Sequence, residues 1–211
     1  METKTSIIDT DNLSRKNNAS SFANWVYRQT NSNRIVRDKT KAKKLKKMGR
    51  ETHLHIDNFF RMKWANANLQ SESASDWNVK HSEIDGRNGF YYKSSCLKLD
   101  GKSMNCSPDL ILTHKYKNQA VVIERKTTQL QERFIPRIGW PNVQAQLWCY
   151  SWMDILKDYD EVILVGQIWR RYRYTYVLCT NHSIWRKQDK RFHQYCLNWF
   201  NEYGGNFINE Y

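Results

Sequence analysis

The chain has 211 residues, a length that suits one domain with a core large enough to fold without disulfides or a structural metal. Hydrophobic residues make up 40% of the chain and charged residues 26%, which excludes an intrinsically disordered protein. The net charge of +13 points to a polyanionic partner, nucleic acid first, with an anionic membrane surface or simple solubility as alternatives.

Five cysteines are spread singly along the chain, without a CxxC pair. This pattern predicts free thiols in a reducing compartment and excludes a zinc or iron–sulfur cluster. The polar N-terminus lacks the pattern of a signal peptide, and no apolar run approaches the ~20 residues that span a bilayer. We therefore expect a cytoplasmic, intracellular protein, at the nucleoid or in a eukaryotic nucleus, without a membrane partner.

The first predicted elements are helical. Residues 1–20 are predicted to be a flexible polar extension, and residues 21–211 a single domain. A short helix is predicted over Phe22–Asn31. A basic run follows, from Arg34 to Arg50, and leads into a partly buried helix over Gly49–Trp64.

Strands dominate the rest of the chain. After a polar linker, the predicted elements are strands over Phe90–Leu99, Ser107–His114 and Ala120–Thr127, a helix over Pro141–Lys157, strands over Glu161–Trp169 and Arg173–Thr180, and a closing helix over Ile184–Tyr203. Asp100-Gly101 and Lys115–Asn118 are predicted turns. This order predicts an α/β fold with a central mixed β-sheet flanked by helices.

The most informative segment is the predicted hairpin around Lys115–Asn118. If its strands are antiparallel, Asp109 lies opposite Glu124 on one face, with Cβ atoms ~4.5–5.5 Å apart. Lys126 falls on that same face because side chains alternate along a strand. The opposite face is predicted to be apolar, with Leu110 and Leu112 meeting Ile123 and Val121.

Two carboxylates this close repel each other unless a cation separates them or one is protonated. Oxygen ligands of this kind suit Mg²⁺ or Mn²⁺. The alternative is a surface hairpin in which the three charged residues form an ordinary ion group. The apolar residues around them argue against exposed decoration, because a charged cluster in such surroundings lowers stability unless it is paired or metal-bound.

Pro108-Asp109 followed by Glu124-Arg125-Lys126 resembles the signature of the PD-(D/E)xK nuclease superfamily. Two outer segments sharpen the resemblance towards its RecB-like exonuclease branch: Gln146–Tyr150 is similar to the QxxxY motif, and Gly49–His53 to the GxxxH motif. The four motifs follow the family's order over residues 49–150. That branch more often has Asp at the position of Glu124, and the four-cysteine iron–sulfur arrangement of some relatives is absent.

The resemblance implies a restriction-endonuclease-like core and metal-dependent hydrolysis of DNA phosphodiester bonds, exonuclease-like, leaving 5′-phosphates. Asp109, Glu124, His53 and the main-chain carbonyl of Arg125 would hold Mg²⁺, for which Mn²⁺ would substitute. Lys126 would assist the attacking water. Gln146 and Tyr150 would position DNA or brace the site.

Two choices stay open at this stage. The upstream metal ligand is expected to be His53, with Glu51 as the alternative and Glu83 as a further one. The run His53–Asn58 is also close to the HxHxDH motif of metallo-β-lactamase-like hydrolases, but Asn58 replaces the last His and the later ligand residues lack counterparts. His182 and His193 are predicted to be structural.

Basic residues outside the hairpin are predicted to contact nucleic acid, DNA first and RNA as the alternative. They are Lys43, Lys44, Lys47, Arg50, Arg170, Arg171 and Arg173. The alternative interpretations are a solvated helix face and an exposed hairpin with Arg–aromatic packing. Two rival functions remain: a non-catalytic nucleic-acid-binding protein that keeps the fold, and a basic adaptor for a protein partner.

Overall fold

The computed structural model describes residues 16–31, 47, 49, 51, 74–82, 91–172, 175–180 and 184–208. Within these ranges three helices are bounded and are numbered here in chain order: α1 (Ala19–Thr30), α2 (Pro141–Ser151) and α3 (Lys190–Glu202). Residues 47, 49 and 51 are also helical. The strands of the same ranges are β1 (Trp77–Ser82), β2 (Tyr92–Leu99), β3 (Lys102–Cys106), β4 (Leu110–His114), β5 (Gln119–Thr128), β6 (Glu161–Tyr172), β7 (Thr175–Thr180), β8 (Ile184–Arg186) and β9 (Gly205–Phe207).

The main sheet has six strands, in the order β1-β4-β5-β6-β7, with β8 also pairing with β6. Only β5 and β6 are parallel among its described pairs. Helix α2 connects them, as a parallel pair requires a crossover. The predicted α/β class with a central mixed sheet is therefore confirmed.

A second, smaller sheet has the order β3-β2-β9. The predicted turn at Asp100-Gly101 is confirmed, with φ of 50° and 73°, the left-handed pair that a tight two-residue hairpin requires. The prediction did not include the strand that follows it, Lys102–Cys106, nor strand Trp77–Ser82. The reason is that only some of the side chains in each strand are buried, so the sequence of each shows a weak apolar pattern.

The helices cover one face of the main sheet. Ile111, Ala120 and Val122 of β4 and β5 belong to one buried cluster with residues of α1, α2 and α3. Phe22 of α1 lies with its ring centroid 5.3 Å from that of Phe200 of α3 and 6.3 Å from that of Trp148 of α2. Aromatic ring contacts thus join α1, α2 and α3 over the sheet.

Each helix begins where the sequence offers a cap or a compatible residue. The side chain of Asn18 accepts a hydrogen bond from the Ser21 N–H, and that of Asp189 accepts one from the Phe192 N–H. Pro141 occupies the first turn of α2, where its missing N–H costs nothing. Among the described residues no helix is long and apolar enough to cross a membrane.

Several predicted boundaries were wrong. Helix α1 begins at Ala19, inside the predicted extension, and α2 ends at Ser151, with only a 3₁₀ turn at Asp154–Leu156. The predicted closing helix began too early, because Ile184–Arg186 pairs with β6 and Asp189 then caps a new helix. Residues 1–15, most of the basic run and residues 52–64 lie outside the described part of the chain.

Candidate active site

Strands β4 and β5 pair in the predicted register. Leu110 lies opposite Ile123 and Leu112 opposite Val121, and these four residues share one buried apolar cluster. The even-numbered residues of β5 therefore point to the other face, which the helices cover. Glu124 and Lys126 belong to that set by the alternation of side chains.

Asp109 departs from the flat cross-strand pair that was predicted. The ladder ends at Leu110, so Asp109 lies in a bend just before β4. Its Oδ2 accepts a hydrogen bond from the main-chain N–H of Arg125 at 2.5 Å. The carboxylate thus accepts from an N–H that would otherwise bond to the main chain of the neighbouring strand. Its orientation is fixed, and a main-chain donor stabilises its charge.

The main chain of Arg125 is directed to the same side as Asp109. A strand residue that faces a neighbouring strand presents both its N–H and its C=O to it. The Arg125 carbonyl oxygen therefore points to the edge of β5 where the Asp109 carboxylate lies. This is the oxygen that the resemblance assigns as a ligand.

Glu124 is buried, with 3% of its surface exposed, and its Oε1 pairs with the Lys126 ammonium group. Its other oxygen, Oε2, is also buried and has no hydrogen-bond partner among the described residues. A buried acceptor without a partner is unfavourable by about 1–3 kcal/mol, more if charged. Gly166, its neighbour in the parallel ladder, has no side chain to fill the adjacent space.

Helix α2 contributes Gln146 and Tyr150, which lie four residues apart on one helix face. The Lys126 ammonium group donates to Gln146 Oε1 at 3.1 Å, and Gln146 Nε2 donates to the Tyr150 hydroxyl at 2.5 Å. That hydroxyl donates to the Ser107 carbonyl at 2.8 Å. A continuous hydrogen-bonded chain therefore links Lys126 to the segment that carries Asp109.

Burial raises the pKa of the Tyr150 hydroxyl well above its usual value, and the nearby carboxylates of Glu124 and Asp109 raise it further. The phenol is thus protonated at neutral pH. This allows it to donate to Ser107 while accepting from Gln146.

The structure brings Asp109, Glu124, Lys126, Gln146 and Tyr150 together. Glu51, the alternative upstream ligand, is exposed, and its carboxylate lies 3.9 Å from the Lys47 ammonium group. Among the described residues no group of three or more His, Cys, Asp or Glu side chains could hold a metal. His53, Glu83, Lys43, Lys44, Arg50, Arg173 and His182 lie outside the described residues.

Gly49, in the segment of the GxxxH motif, lies close to the end of β5, on the side of the Thr127 side chain. A Cβ added at Gly49 would lie 3.3 Å from the Oγ1 of Thr127, the residue after Lys126. Glycine therefore permits a close approach of this segment to the end of β5.

Three of the predicted basic residues lie in the described part of the chain, in two places. Lys47 is exposed and pairs with Glu51. Arg170 lies opposite Thr128 in the β5–β6 ladder, at the strand end next to Lys126, and Arg171 follows it in β6.

His193 has the structural role that was predicted for it. Its Nδ1 accepts a hydrogen bond from Trp148 Nε1 at 3.1 Å, and burial lowers its pKa.

Two supporting residues were not predicted from the sequence. The Ser107 carbonyl acts through the main chain, which leaves no side-chain signal. Gln167, fully buried, accepts at Oε1 from Arg125 Nε at 3.4 Å and from Trp169 Nε1 at 3.3 Å on the opposite face of the sheet. Its strand partner Arg125 could be identified only once the parallel register was known.

Comparisons with known proteins give no family for this chain. No protein-family model matches it, and no curated protein matches it. Among solved structures, the crystal structure of SSO0001 aligns with 91% of this chain and 79% of its own, at 14% identity and a TM-score of 0.36.

Proposed function

We propose that this chain is a metal-dependent nuclease of the PD-(D/E)xK superfamily, with a restriction-endonuclease-like core, that hydrolyses phosphodiester bonds in DNA. The observation that carries the proposal is the buried carboxylate pair of Asp109 and Glu124 with Lys126 beside it. Both acids are more than nine-tenths buried, at 7% and 3% exposure. A protein that only binds a polyanion gains nothing from two acids in that place.

The electrostatics of the pair favour a further cation. Among the described residues, the Lys126 ammonium group pairs with the buried carboxylate of Glu124, and the buried carboxylate of Asp109 adds negative charge in surroundings that solvate it poorly. Hydrogen bonds satisfy one oxygen of Asp109 and one of Glu124, while Glu124 Oε2 lacks a partner among the described residues. A positive ion at Glu124 Oε2 offsets the negative charge and gives this oxygen a partner.

The donor set fits Mg²⁺, or Mn²⁺ in its place. Asp109, Glu124 and the Arg125 carbonyl offer only hard oxygen ligands, which these ions prefer. By the resemblance, His53 completes the set from outside the described residues. When bound, such an ion lowers the pKa of a water molecule and stabilises charge on the phosphate.

The protein side chains perform the remaining tasks. Lys126 holds a proton and a positive charge where the scissile phosphate is expected, and it orients the attacking water. Gln146 holds the Lys126 ammonium group in place through Oε1. Tyr150 braces Gln146 against the Ser107 carbonyl. Arg170, at the same strand end, is available to a flanking phosphate.

The decisive experiment measures cleavage of end-labelled DNA with Mg²⁺ or Mn²⁺ by the wild type and by Lys126→Ala. Loss of a group that assists proton transfer is expected to lower the rate about 10²- to 10⁴-fold. Lys117→Ala is the matched control, because Lys117 is exposed in the β4–β5 turn at the other end of the hairpin. Equal activity of Lys126→Ala and wild type rejects the assignment.

The exonuclease-like mode has its own test, because free ends are needed only for that mode. A circular single strand is expected to resist cleavage while the same strand, linearised, is degraded. Binding of DNA without cleavage under every divalent metal would instead favour the rival, a non-catalytic nucleic-acid-binding protein with this fold.

A further inference from the structure

The segment between β5 and α2, residues 129–140, exposes large apolar side chains. Leu130, Phe134 and Ile138 are 48%, 57% and 66% exposed. Three exposed large apolar side chains within nine positions make this segment a candidate binding surface.

The segment is held in shape rather than loose. Glu132–Phe134 forms a 3₁₀ turn, and Ile135 is buried beneath it. Gln144 Nε2 of α2 donates to the Ile138 carbonyl at 2.9 Å. Gly139, at φ 73°, donates its N–H to the Pro136 carbonyl. A preformed surface loses less conformational entropy on binding than a flexible one.

Basic groups accompany the apolar ones. The Arg133 guanidinium lies over the Phe134 ring, 4.8 Å from its centroid. Arg137 is exposed in the same segment. Burial raises the pKa of the Cys179 thiol, the charge of Glu132 raises it further and that of Arg170 lowers it, so both charged side chains lie near Cys179 of β7.

The position relative to the candidate active site is fixed by the chain. The segment starts just after strand β5, which carries Lys126, and ends at α2, which carries Gln146. Leu130 lies four residues after Lys126, at most ~14 Å away along an extended chain, so a nucleic-acid strand with a phosphate at Lys126 can reach this segment. Arginine and aromatic side chains together bind unpaired bases by stacking and cation–π contact.

We propose that this segment is a base-stacking platform and that the substrate is a single strand or a frayed end. The proposal rests on the proposed function for the placement of the phosphate. Phe134 supplies a stacking face on the side of its ring away from Arg133, Leu130 and Ile138 add apolar surface, and Arg137 and Arg170 contact the phosphates. An intact duplex hides its base faces and lacks this contact.

The test measures binding of fluorescently labelled oligo-dT by anisotropy, in EDTA so that cleavage is absent. Phe134→Ala is expected to weaken binding about 5- to 100-fold, the effect of losing one stacked base. Phe134→Trp is expected to restore binding, and Phe134→Leu, which keeps an apolar side chain without a ring, is not. Tyr116→Ala is the matched control: Tyr116 is 80% exposed in the turn at the far end of β5.

A blunt duplex of the same length is the second arm and is expected to bind more weakly than oligo-dT and to be insensitive to Phe134→Ala. Oligo-dT binding that is unchanged in Phe134→Ala, or equal loss in Tyr116→Ala, overturns the platform. So does concentration-dependent self-association of the wild type that Phe134→Ala abolishes without altering oligo-dT binding, since the segment would then be a protein interface.

Failure of the two proposals is distinguishable. If the chain does not cleave DNA, the binding assay still reports on the platform, because it contains no metal. If the platform is wrong, cleavage by the wild type and its loss in Lys126→Ala are unaffected.

Discussion

Gln146 Oε1 accepts a hydrogen bond from the Lys126 ammonium group at 3.1 Å, although the two residues belong to a helix and a strand twenty positions apart. The same ammonium group pairs with Glu124, so Glu124 and Gln146 together fix the position of its charge. Gln146 is in turn held by the Tyr150 hydroxyl. Helix α2 thus positions the lysine as well as covering the sheet.

Replacing Gln146 by Ala is expected to lower kcat for DNA hydrolysis about 10- to 100-fold, the usual cost of losing a residue that orients an active-site group. KM is expected to change little, because Gln146 is buried and acts through Lys126. Steady-state kinetics on single-stranded DNA measure both constants.

Gln144→Ala is the matched control, since Gln144 is equally buried on the same helix but bonds to the Ile138 carbonyl. It is expected to raise KM and spare kcat. The same kcat loss in both variants would mean that α2 is merely destabilised.

Tyr150→Phe is expected to lower the free energy of unfolding by about 1–3 kcal/mol, because the Ser107 carbonyl and Gln146 Nε2 lose a buried partner. Urea unfolding at neutral pH measures this change. An unchanged midpoint would show that water replaces the hydroxyl.

The raised pKa of Tyr150 also predicts a loss of stability at alkaline pH. Its pKa is raised in the folded protein, so the unfolded chain releases the proton near pH 10 while the folded protein retains it. The contribution is complete below pH 10 and is lost as pH rises further. Wild type is therefore expected to lose more stability than Tyr150→Phe between pH 9 and about 11. Parallel curves would contradict this, and the buried cysteines affect both proteins alike.

Mn²⁺ is expected to raise the thermal unfolding midpoint of the wild type in the absence of DNA. At a concentration about 100 times the Kd, the stabilisation is about 2.7 kcal/mol. Glu124→Gln, which removes the charge of the carboxylate whose Oε2 lacks a partner among the described residues, is expected to lose this response.

Glu161→Gln serves as the control, because Glu161 lies at the start of β6 and pairs with Arg186. It is expected to retain the response to Mn²⁺. A midpoint that Mn²⁺ shifts equally in both variants would locate the ion elsewhere.

Acid is expected to destabilise the fold through His193. Burial lowers the pKa of this side chain, and its Nδ1 must be unprotonated to accept from Trp148. The stability it contributes is complete above pH ~6.5 and decreases as pH falls below that value, because the unfolded chain binds the proton more readily. Urea unfolding between pH 7.5 and about 5 measures the slope. His193→Gln, which keeps an acceptor without titrating, is expected to show a smaller slope; an equal slope would exclude His193 as the cause.

Local relationships could be predicted from the sequence. The register of β4 on β5 follows from a short turn and from alternating apolar residues, since a slip by one residue would turn Leu110 and Leu112 to the wrong face. The same alternation put Glu124 and Lys126 on one face. The Asp100-Gly101 turn is local in the same way.

Long-range relationships required the folded structure. Helix α2 lies between β5 and β6 in the sequence, so no short turn sets the register of this parallel pair. Strand β9 pairs with β2 across about half of the chain, with Phe207 opposite Leu97. The bend at Asp109 appears only where the ladder stops, and its carboxylate then bonds to the Arg125 N–H rather than facing Glu124 squarely.

The sequence alone therefore determined which side chains share a strand face, because alternation along a strand is a property of the backbone. Only the tertiary structure decided how α2 is rotated over that face, and hence that Gln146 reaches Lys126 while Tyr150 reaches Ser107. That rotation depends on contacts such as Phe22 with Trp148, between helices far apart in the sequence. Packing over such distances depends on the summed fit of many side chains, which no single motif encodes.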